Sequence, residues 1–127
     1  MSEVFIPKTM INGKVVIWTY VEHLQSAVEW YSYILELEPT ERHDAAYFFT
    51  INEYTKLALC NRYLRNPINQ LPVNDCLDLQ ADDIFAAHEQ LKEKGVLVGP
   101  VDNPFPTYYE FYFVDIENNK IRIHGFV

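Results

Sequence analysis

Four residues of this 127-residue chain could together bind a metal ion: Cys60, Cys76, Asp78 and His124. Thiolate, imidazole and carboxylate groups are the ligands that zinc takes in proteins. The four residues lack the short, regular spacing that marks a zinc site. The alternative is that both cysteines are small apolar core residues and that His124 is a neutral residue at a strand end. We favour this alternative, because nothing in the spacing is diagnostic of a metal site.

Charged residues in the second half of the chain offer acid–base chemistry or ligand capture instead. Asp78, Glu110 and His124 could transfer protons. Arg122 could form a structural ion pair with Asp78 or Glu110, or it could bind a ligand carboxylate or phosphate through two parallel hydrogen bonds. Both interpretations of Arg122 stay open. The chain has no glycine-rich phosphate loop and no Gly-x-Ser-x-Gly motif, so no residue is assigned a catalytic role.

The composition is that of an acidic globular protein and excludes several classes of partner. Hydrophobic residues make up 49% and charged residues 22% of the chain, which is ordinary for a protein with a packed core. The net charge of −8 argues against a nucleic-acid partner, because binding phosphates requires a basic surface. No apolar run approaches the roughly 20 residues of a membrane span, and the N-terminus does not resemble a signal peptide. We therefore expect a cytoplasmic protein with free thiols and no membrane partner.

Hydrophobic patterns divide the chain into two successive sets of elements. An apolar stripe from Glu22 to Leu35 predicts a helix that Pro39 ends. A stretch rich in Pro and Asn then predicts a loop over 61–75, after which a second strand and helix follow. The predicted helices are 23–36 and 82–94, and the predicted strands are 15–21, 45–51, 56–60, 76–80, 96–98, 108–114 and 120–124.

The two sets of elements overlay in order, which indicates an internal repeat. Residues 21–24 fall on 81–84 at an offset of 60. Residues 47–49 fall on 111–113, and residues 56–60 on 120–124, both at an offset of 64. The difference of four fits a longer, proline-rich loop in the second half. A match of one strand is easily produced by chance, but several elements matching in order indicate a repeated unit.

The motifs resemble those of the vicinal-oxygen-chelate superfamily, which includes glyoxalases and bleomycin-resistance proteins. The resemblance rests on Val21-Glu22-His23-Leu24 through Trp30-Tyr31, and on a closing hairpin over 111–121, and it extends over about residues 13–127. It implies an α+β fold in which two pseudo-symmetric βαβββ units form a curled mixed-sheet cup with the helices outside. We accordingly expect a single domain over 1–127, with one unit at about 13–62, a linker at 63–75 and a second unit at 76–127.

Metal-using members of this superfamily take one ligand from each of four equivalent strand positions. The matching positions here are Val16, Ala58, Cys76 and Arg122. Valine and alanine cannot bind a metal, and arginine repels a cation. The resemblance therefore implies that the metal site has been lost, and we expect neither a metal nor another cofactor. This puts in doubt the metal-dependent activities of the superfamily.

Residues that share strand faces with those four positions should line the cup. Aromatic residues make up 15% of the chain, which fits either a small β-rich core or a ligand pocket. Side chains alternate along a strand, so residues two positions from a matched one lie on the same face. Aromatic rings together with a few polar groups are typical of a small-molecule pocket. The predicted ligand-binding residues are Trp18, Tyr20, Asp78, Gln80, Glu110, Tyr112, Arg122 and His124.

The resemblance favours a metal-free protein that sequesters an aromatic or partly cationic small molecule, as bleomycin-type resistance proteins do, which would make it an antibiotic-resistance protein. It also implies a homodimer. One alternative is a lyase, dioxygenase or transferase that uses a shifted metal site containing Cys60, Cys76 and His124. Another is a degenerate module that acts in protein interaction or regulation. Whether the protein is an enzyme therefore stays open, although the missing metal site favours a binding protein.

Overall fold

Each half of the chain folds as a strand, a helix and three further strands, in a computed structural model that describes residues 10–65, 74 and 76–127. The first unit contains β1 (Val15–Tyr20), α1 (Leu24–Leu35), β2 (Glu41–Arg42), β3 (Ala46–Thr50) and β4 (Thr55–Cys60), followed by a 3-10 turn at Arg62–Arg65. The second unit contains β5 (Leu77–Gln80), α2 (Ile84–Glu93), β6 (Asp102–Phe105), β7 (Tyr108–Val114) and β8 (Lys120–Phe126).

Each unit forms its own four-stranded mixed sheet. The strand order is β1-β4-β3-β2 in the first sheet and β5-β8-β7-β6 in the second. In both sheets the first strand of the unit pairs in parallel with the last, and the remaining pairs are antiparallel. Because the same order occurs twice, the repeat in the sequence is a structural repeat, and the predicted α+β class is confirmed.

The helices and one face of each sheet share a single hydrophobic core. On β4 the side chains of Leu57 and Leu59 are buried in it, and on β7 those of Phe111 and Phe113. Full burial of one such side chain stabilises the fold by about 1.5–3 kcal/mol. Successive side chains of a strand point to opposite faces, so the intervening residues lie on the face turned away from this core. We call that side of each sheet its open face.

A buried hydrogen bond joins the two units. The Tyr31 hydroxyl on α1 donates to Oδ2 of Asp115 at 2.7 Å, and both residues are buried. Asp115 also accepts from the backbone N–H groups of Glu117 and Asn119, at 2.8 and 2.9 Å, and so shapes the turn between β7 and β8. Burial, followed by the Asp115 carboxylate, raises the pKa of Tyr31, so the hydroxyl stays protonated and donates. The turn therefore anchors α1 to the second unit.

The predicted strand at 96–98 is wrong. Residues 96–98 are extended but belong to neither sheet. The following residue, Gly99, fixes this stretch through two hydrogen bonds. The Gly99 N–H donates to the Tyr112 carbonyl at 2.8 Å, and the Gly99 carbonyl lies 2.8 Å from Nε2 of His88. The fourth strand of the second sheet is instead β6, which pairs with β7. An apolar run alone therefore did not identify the edge strand.

Two further findings concern the parts of the chain that the prediction treated as connections. The two-residue strand β2 was not predicted. Of the predicted linker at 63–75, residues 66–73 and 75 lie outside the described residues. Asn74 accepts from the Tyr20 backbone N–H at 2.7 Å and donates to the Tyr20 carbonyl at 2.8 Å, which places Asn74 at the end of β1.

Within the described part of the chain, no helix is long and apolar enough to cross a membrane.

Candidate ligand-binding site

Six of the eight predicted site residues lie together on the open face of the second sheet. The strand register places Asp78 of β5 and Tyr112 of β7 on either side of Arg122 of β8. One step along, Gln80 and Glu110 lie on either side of His124 in the same way. The spacing of strands by about 4.8 Å brings such neighbours within reach of one another.

Asp78 is the centre of the hydrogen bonds on this face. Its Oδ1 lies 2.6 Å from Nδ1 of His124, and its Oδ2 accepts from Nε of Arg122 at 3.0 Å and from Nη2 at 2.9 Å. Nη1 of Arg122 donates to the Tyr112 hydroxyl at 3.0 Å. The hydrogen bond that Arg122 donates to Tyr112, followed by the one that it donates to Asp78, raises the pKa of Arg122, so the guanidinium stays charged. Of the two interpretations of Arg122, the ion pair with Asp78 is the one that forms.

Tyr108 belongs to the same face and was missed by the sequence analysis. Its ring stacks on that of His124 with centroids 5.6 Å apart and planes 16° apart, and on that of Phe105 at 4.4 Å and 27°. Burial, followed by a hydrogen bond with Glu110, raises the pKa of Tyr108. Tyr108, Glu110 and Tyr112 are two residues apart on β7, so their side chains point to the same face. The alternation of side chains along the strand could therefore have identified Tyr108. We call Asp78, Tyr108, Glu110, Tyr112, Arg122 and His124 the polar cluster.

The other two predicted site residues, Trp18 and Tyr20, lie on the open face of the first sheet. Trp18 is 43% exposed, and its ring meets that of Phe48 edge to face at 5.5 Å. Tyr20 meets Tyr63 in the same geometry at 6.2 Å. Phe48 lies opposite Ala58 in the register, so it too shares the face that the sequence analysis selected without naming it. This open face carries aromatic rings together with Lys56, which lies over the Phe48 ring and pairs with Glu41, whereas the open face of the second sheet carries the polar cluster.

The structure does not join the aromatic and polar groups directly. Among the described residues, no hydrogen bond, ion pair or ring contact links Trp18 or Tyr20 to the polar cluster. Gln80 is exposed at the end of β5. That all eight residues line one concavity therefore stays a prediction.

The four positions matched to metal ligands retain little that could bind a metal. Val16 and Ala58 share the open face of the first sheet with Trp18. Cys76 is exposed immediately before β5, and Arg122 is occupied by Asp78. The shifted set is divided as well, because Cys60 is buried in the first sheet while Asp78 and His124 lie on the second. Within residues 10–65, 74 and 76–127, no three His, Cys, Asp or Glu side chains are grouped to hold a metal ion.

A cavity of about 130 Å³ lies elsewhere, among α1, α2 and the buried face of the second sheet. Most of its lining is apolar, including Ile34, Leu77, Leu91 and Ile123. The polar cluster is on the opposite side of that sheet, and of the eight predicted site residues only Gln80 also lines this cavity.

No protein-family model matches the sequence, and no curated protein matches it. Solved structures do match. A lactoylglutathione lyase from Agrobacterium tumefaciens is 17% identical with a TM-score of 0.73, over 92% of this chain and 96% of that one. The fosfomycin resistance protein FosX from Listeria monocytogenes is 19% identical with a TM-score of 0.68, over 93% and 96%. TnmS3, an antibiotic-binding protein from Streptomyces sp. CB03234, is 21% identical with a TM-score of 0.70, over 94% and 100%. Identities this low establish a shared fold and no shared activity.

Proposed function

We propose that this chain, which has the vicinal-oxygen-chelate fold, is a metal-free protein that binds and sequesters a small aromatic molecule on the open faces of its sheets. Proteins of this fold include a lyase and an antibiotic-binding protein, so the fold itself is compatible with either catalysis or binding. The choice between the two depends on the residues of the site.

The ion pair between Arg122 and Asp78 is the observation that supports binding without a metal. The resemblance places Arg122 at a position where metal-using relatives carry a ligand. Here that position holds a permanent cation, 2.9 Å from its carboxylate partner. The guanidinium already occupies the Asp78 carboxylate, so a divalent ion that used this carboxylate would have to displace it at an electrostatic cost. Val16 and Ala58, at two other matched positions, have no donor atom to offset this cost.

The two open faces provide what an aromatic ligand needs. Trp18 offers a large exposed ring, and the polar cluster offers hydrogen bonds that fix the orientation of a ligand. The carboxylates of Asp78 and Glu110 are compatible with a partly cationic ligand. Resistance to an antibiotic by sequestration would be one use of such binding, and the antibiotic-binding neighbour supports it.

We further propose that the protein acts as a homodimer in the cytoplasm. Val16 is 38% exposed on the open face of the first sheet, and a second copy would cover it and complete the binding cup around Trp18. Both cysteines are free thiols, and Cys76 is exposed, which favours a reducing compartment.

Calorimetry with planar aromatic probes tests the proposed function. We expect 9-aminoacridine, an aromatic cation, to bind the metal-depleted protein. Stacking on Trp18 contributes about 1 kcal/mol, so Trp18→Ala should weaken binding roughly fivefold or more. Tyr54→Ala removes a comparably exposed aromatic side chain from the turn between β3 and β4 and serves as the matched control, with unchanged affinity expected. Equal affinity of the Trp18→Ala variant, or binding that requires added metal, would contradict the proposal.

A further inference from the structure

One of the two ring nitrogens of His124 already has a hydrogen-bond partner in the protein. Nδ1 lies 2.6 Å from Oδ1 of Asp78. An ionised carboxylate can only accept a hydrogen bond, so the Nδ1 proton lies between the two groups. In the neutral ring Nε2 then carries the lone pair and is a hydrogen-bond acceptor. Asp78 thus fixes both the tautomer and the tilt of the ring.

The second nitrogen of His124 has no partner in the part of the chain that the structure describes. No hydrogen bond to Nε2 is found among these residues. The atom is not sealed in the protein either, because the only fully buried side-chain N or O atom without a partner in these residues is Oδ1 of Asn61. The His124 side chain is 18% exposed. Nε2 is therefore a fixed acceptor that a bound molecule can reach.

Aromatic neighbours restrict the His124 ring to one plane. Tyr108 stacks on one side of it, and Phe126 meets it edge to face at 5.8 Å and 87°. A ring held by stacking and by a hydrogen bond has little rotamer freedom left to lose when a ligand binds. A ligand would therefore lose little affinity in ordering this side chain.

The charged side chains of the polar cluster around His124 are Asp78 on β5, Glu110 on β7 and Arg122 on β8. A proton that arrived at Nε2 would form an imidazolium next to Oδ1 of Asp78. The nearest fixed cation, Arg122, is already balanced by Oδ2 of the same carboxylate. Next to this pair, the Tyr112 hydroxyl accepts from Arg122, which leaves its own proton available to donate to a ligand oxygen.

We propose that the pair Asp78–His124 is a subsite for an acidic hydroxyl on an aromatic ring, such as a phenol. The inference rests on the proposed function and names the ligand class of the same site. On binding, the ligand O–H bond breaks and an N–H bond forms at Nε2, so a phenolate is left paired with an imidazolium. No other reactant is required. His124 contacts the ligand, and Asp78 is a positioning residue that acts through it.

Titration of bound 4-nitrophenol tests this subsite, because its phenol and phenolate forms differ in visible absorption. We expect the pKa of the bound probe to lie at least about one unit below that of the free probe, which corresponds to a tenfold preference for the phenolate. Its methyl ether, 4-nitroanisole, lacks the proton and should bind at least about tenfold more weakly.

Variants separate the roles of the two residues. His124→Phe retains an aromatic ring beside Tyr108 but lacks Nε2, and His124→Asn retains a donor toward Asp78 and serves if the first variant does not fold. Both should abolish the pKa shift of the probe, and Asp78→Asn should reduce it. Gln25→Ala, which alters an exposed residue of α1 that hydrogen-bonds to Glu29 and lies outside the candidate site, is the control and should leave the shift unchanged.

The outcomes distinguish this inference from the proposed function. Equal binding of phenol and ether, or a shift that survives in both His124 variants, would overturn the inference while leaving aromatic binding intact. If 4-nitrophenol does not bind but 9-aminoacridine does, the inference also fails alone. If none of the three probes binds, both proposals fail.

Discussion

The turn between β6 and β7 holds a β-branched residue in the left-handed backbone region. Thr107 has a φ of 64°, directly after Pro106 in a two-residue connection between the paired residues Phe105 and Tyr108. Proline followed by a residue with positive φ is the pattern of a type II turn, where glycine or asparagine is usual. The turn brings the rings of Phe105 and Tyr108 face to face, beside His124. Backbone strain is thus stored next to the candidate site.

Thr107→Gly should stabilise the protein. The left-handed conformation costs a residue with a Cβ roughly 1–2 kcal/mol, and the greater flexibility of glycine in the unfolded chain cancels part of that gain. We expect the free energy of unfolding in urea to rise by up to about 1 kcal/mol. Thr107→Ala retains the cost of positive φ and should gain less. A glycine variant less stable than the alanine variant would contradict this account of the turn.

Pairings within the polar cluster show what sequence could and could not predict at this scale. Strand alternation placed Asp78, Tyr112 and Arg122 on one face. This was predictable because the side of the sheet to which a side chain points depends only on its position along an extended strand. It could not choose between Asp78 and Glu110 as the partner of Arg122, since that choice depends on register and side-chain reach. The register puts Asp78 directly beside Arg122, whereas Glu110 lies beside His124.

At the scale of elements, the two units cap equivalent helices in different ways. On α2 the Asp83 side chain accepts from the Ala86 N–H at 3.0 Å, which is a local N-cap. The equivalent residue before α1 is His23, which makes no side-chain cap. At α1 the carboxylate of Glu117 from the second unit accepts instead from the backbone N–H groups of the two residues before the helix, Glu22 at 2.6 Å and His23 at 2.9 Å. A tertiary contact therefore replaces a local one.

Glu117→Ala should destabilise the protein by about 1 kcal/mol, because the N-terminus of α1 loses a carboxylate that accepts two backbone hydrogen bonds and interacts favourably with the helix dipole. Glu117→Gln keeps an acceptor oxygen but loses the charge, so it should cost less. Glu53, at the offset of 64 in the first unit, is exposed, and Glu53→Ala is the matched control with little change expected. Urea denaturation measures all three variants. A loss of stability in Glu53→Ala as large as in Glu117→Ala would argue against the specific cap.

Long elements were predictable from sequence, and short edge strands were not. The apolar stripes of α1 and α2, the alternation in β7 and β8 and the apolar run of β4 reflect burial in the core, so pattern alone locates them. The edge strand β2 has only two residues, both polar, and β6 contains Pro104 and has four exposed residues. Such strands exist because a neighbour offers hydrogen bonds, and that information is tertiary.

At the scale of the whole molecule, the open faces determine the expected assembly. The first sheet exposes apolar side chains on its open face, whereas the second carries the polar cluster. A two-fold axis would bring the open face of the first sheet of one copy together with the open face of the second sheet of the other, and the two faces would form a shared cup. Light scattering at micromolar concentration should return twice the chain mass of 15.0 kDa. A charged substitution on the same face, Val16→Glu, should shift the equilibrium toward monomer. A wild-type mass of one chain across the concentration range would contradict the dimer.

The central claim is that the protein binds a small organic molecule without a metal. Native mass spectrometry of protein purified without added metal, paired with elemental analysis of the same sample, tests it most directly. We predict less than a stoichiometric amount of any transition metal, together with complexes carrying one organic molecule per site after incubation with hydroxylated aromatic compounds. These complexes should persist after treatment with a chelator. One tightly held zinc, nickel or iron ion per chain, lost together with ligand binding in the chelator, would contradict the account.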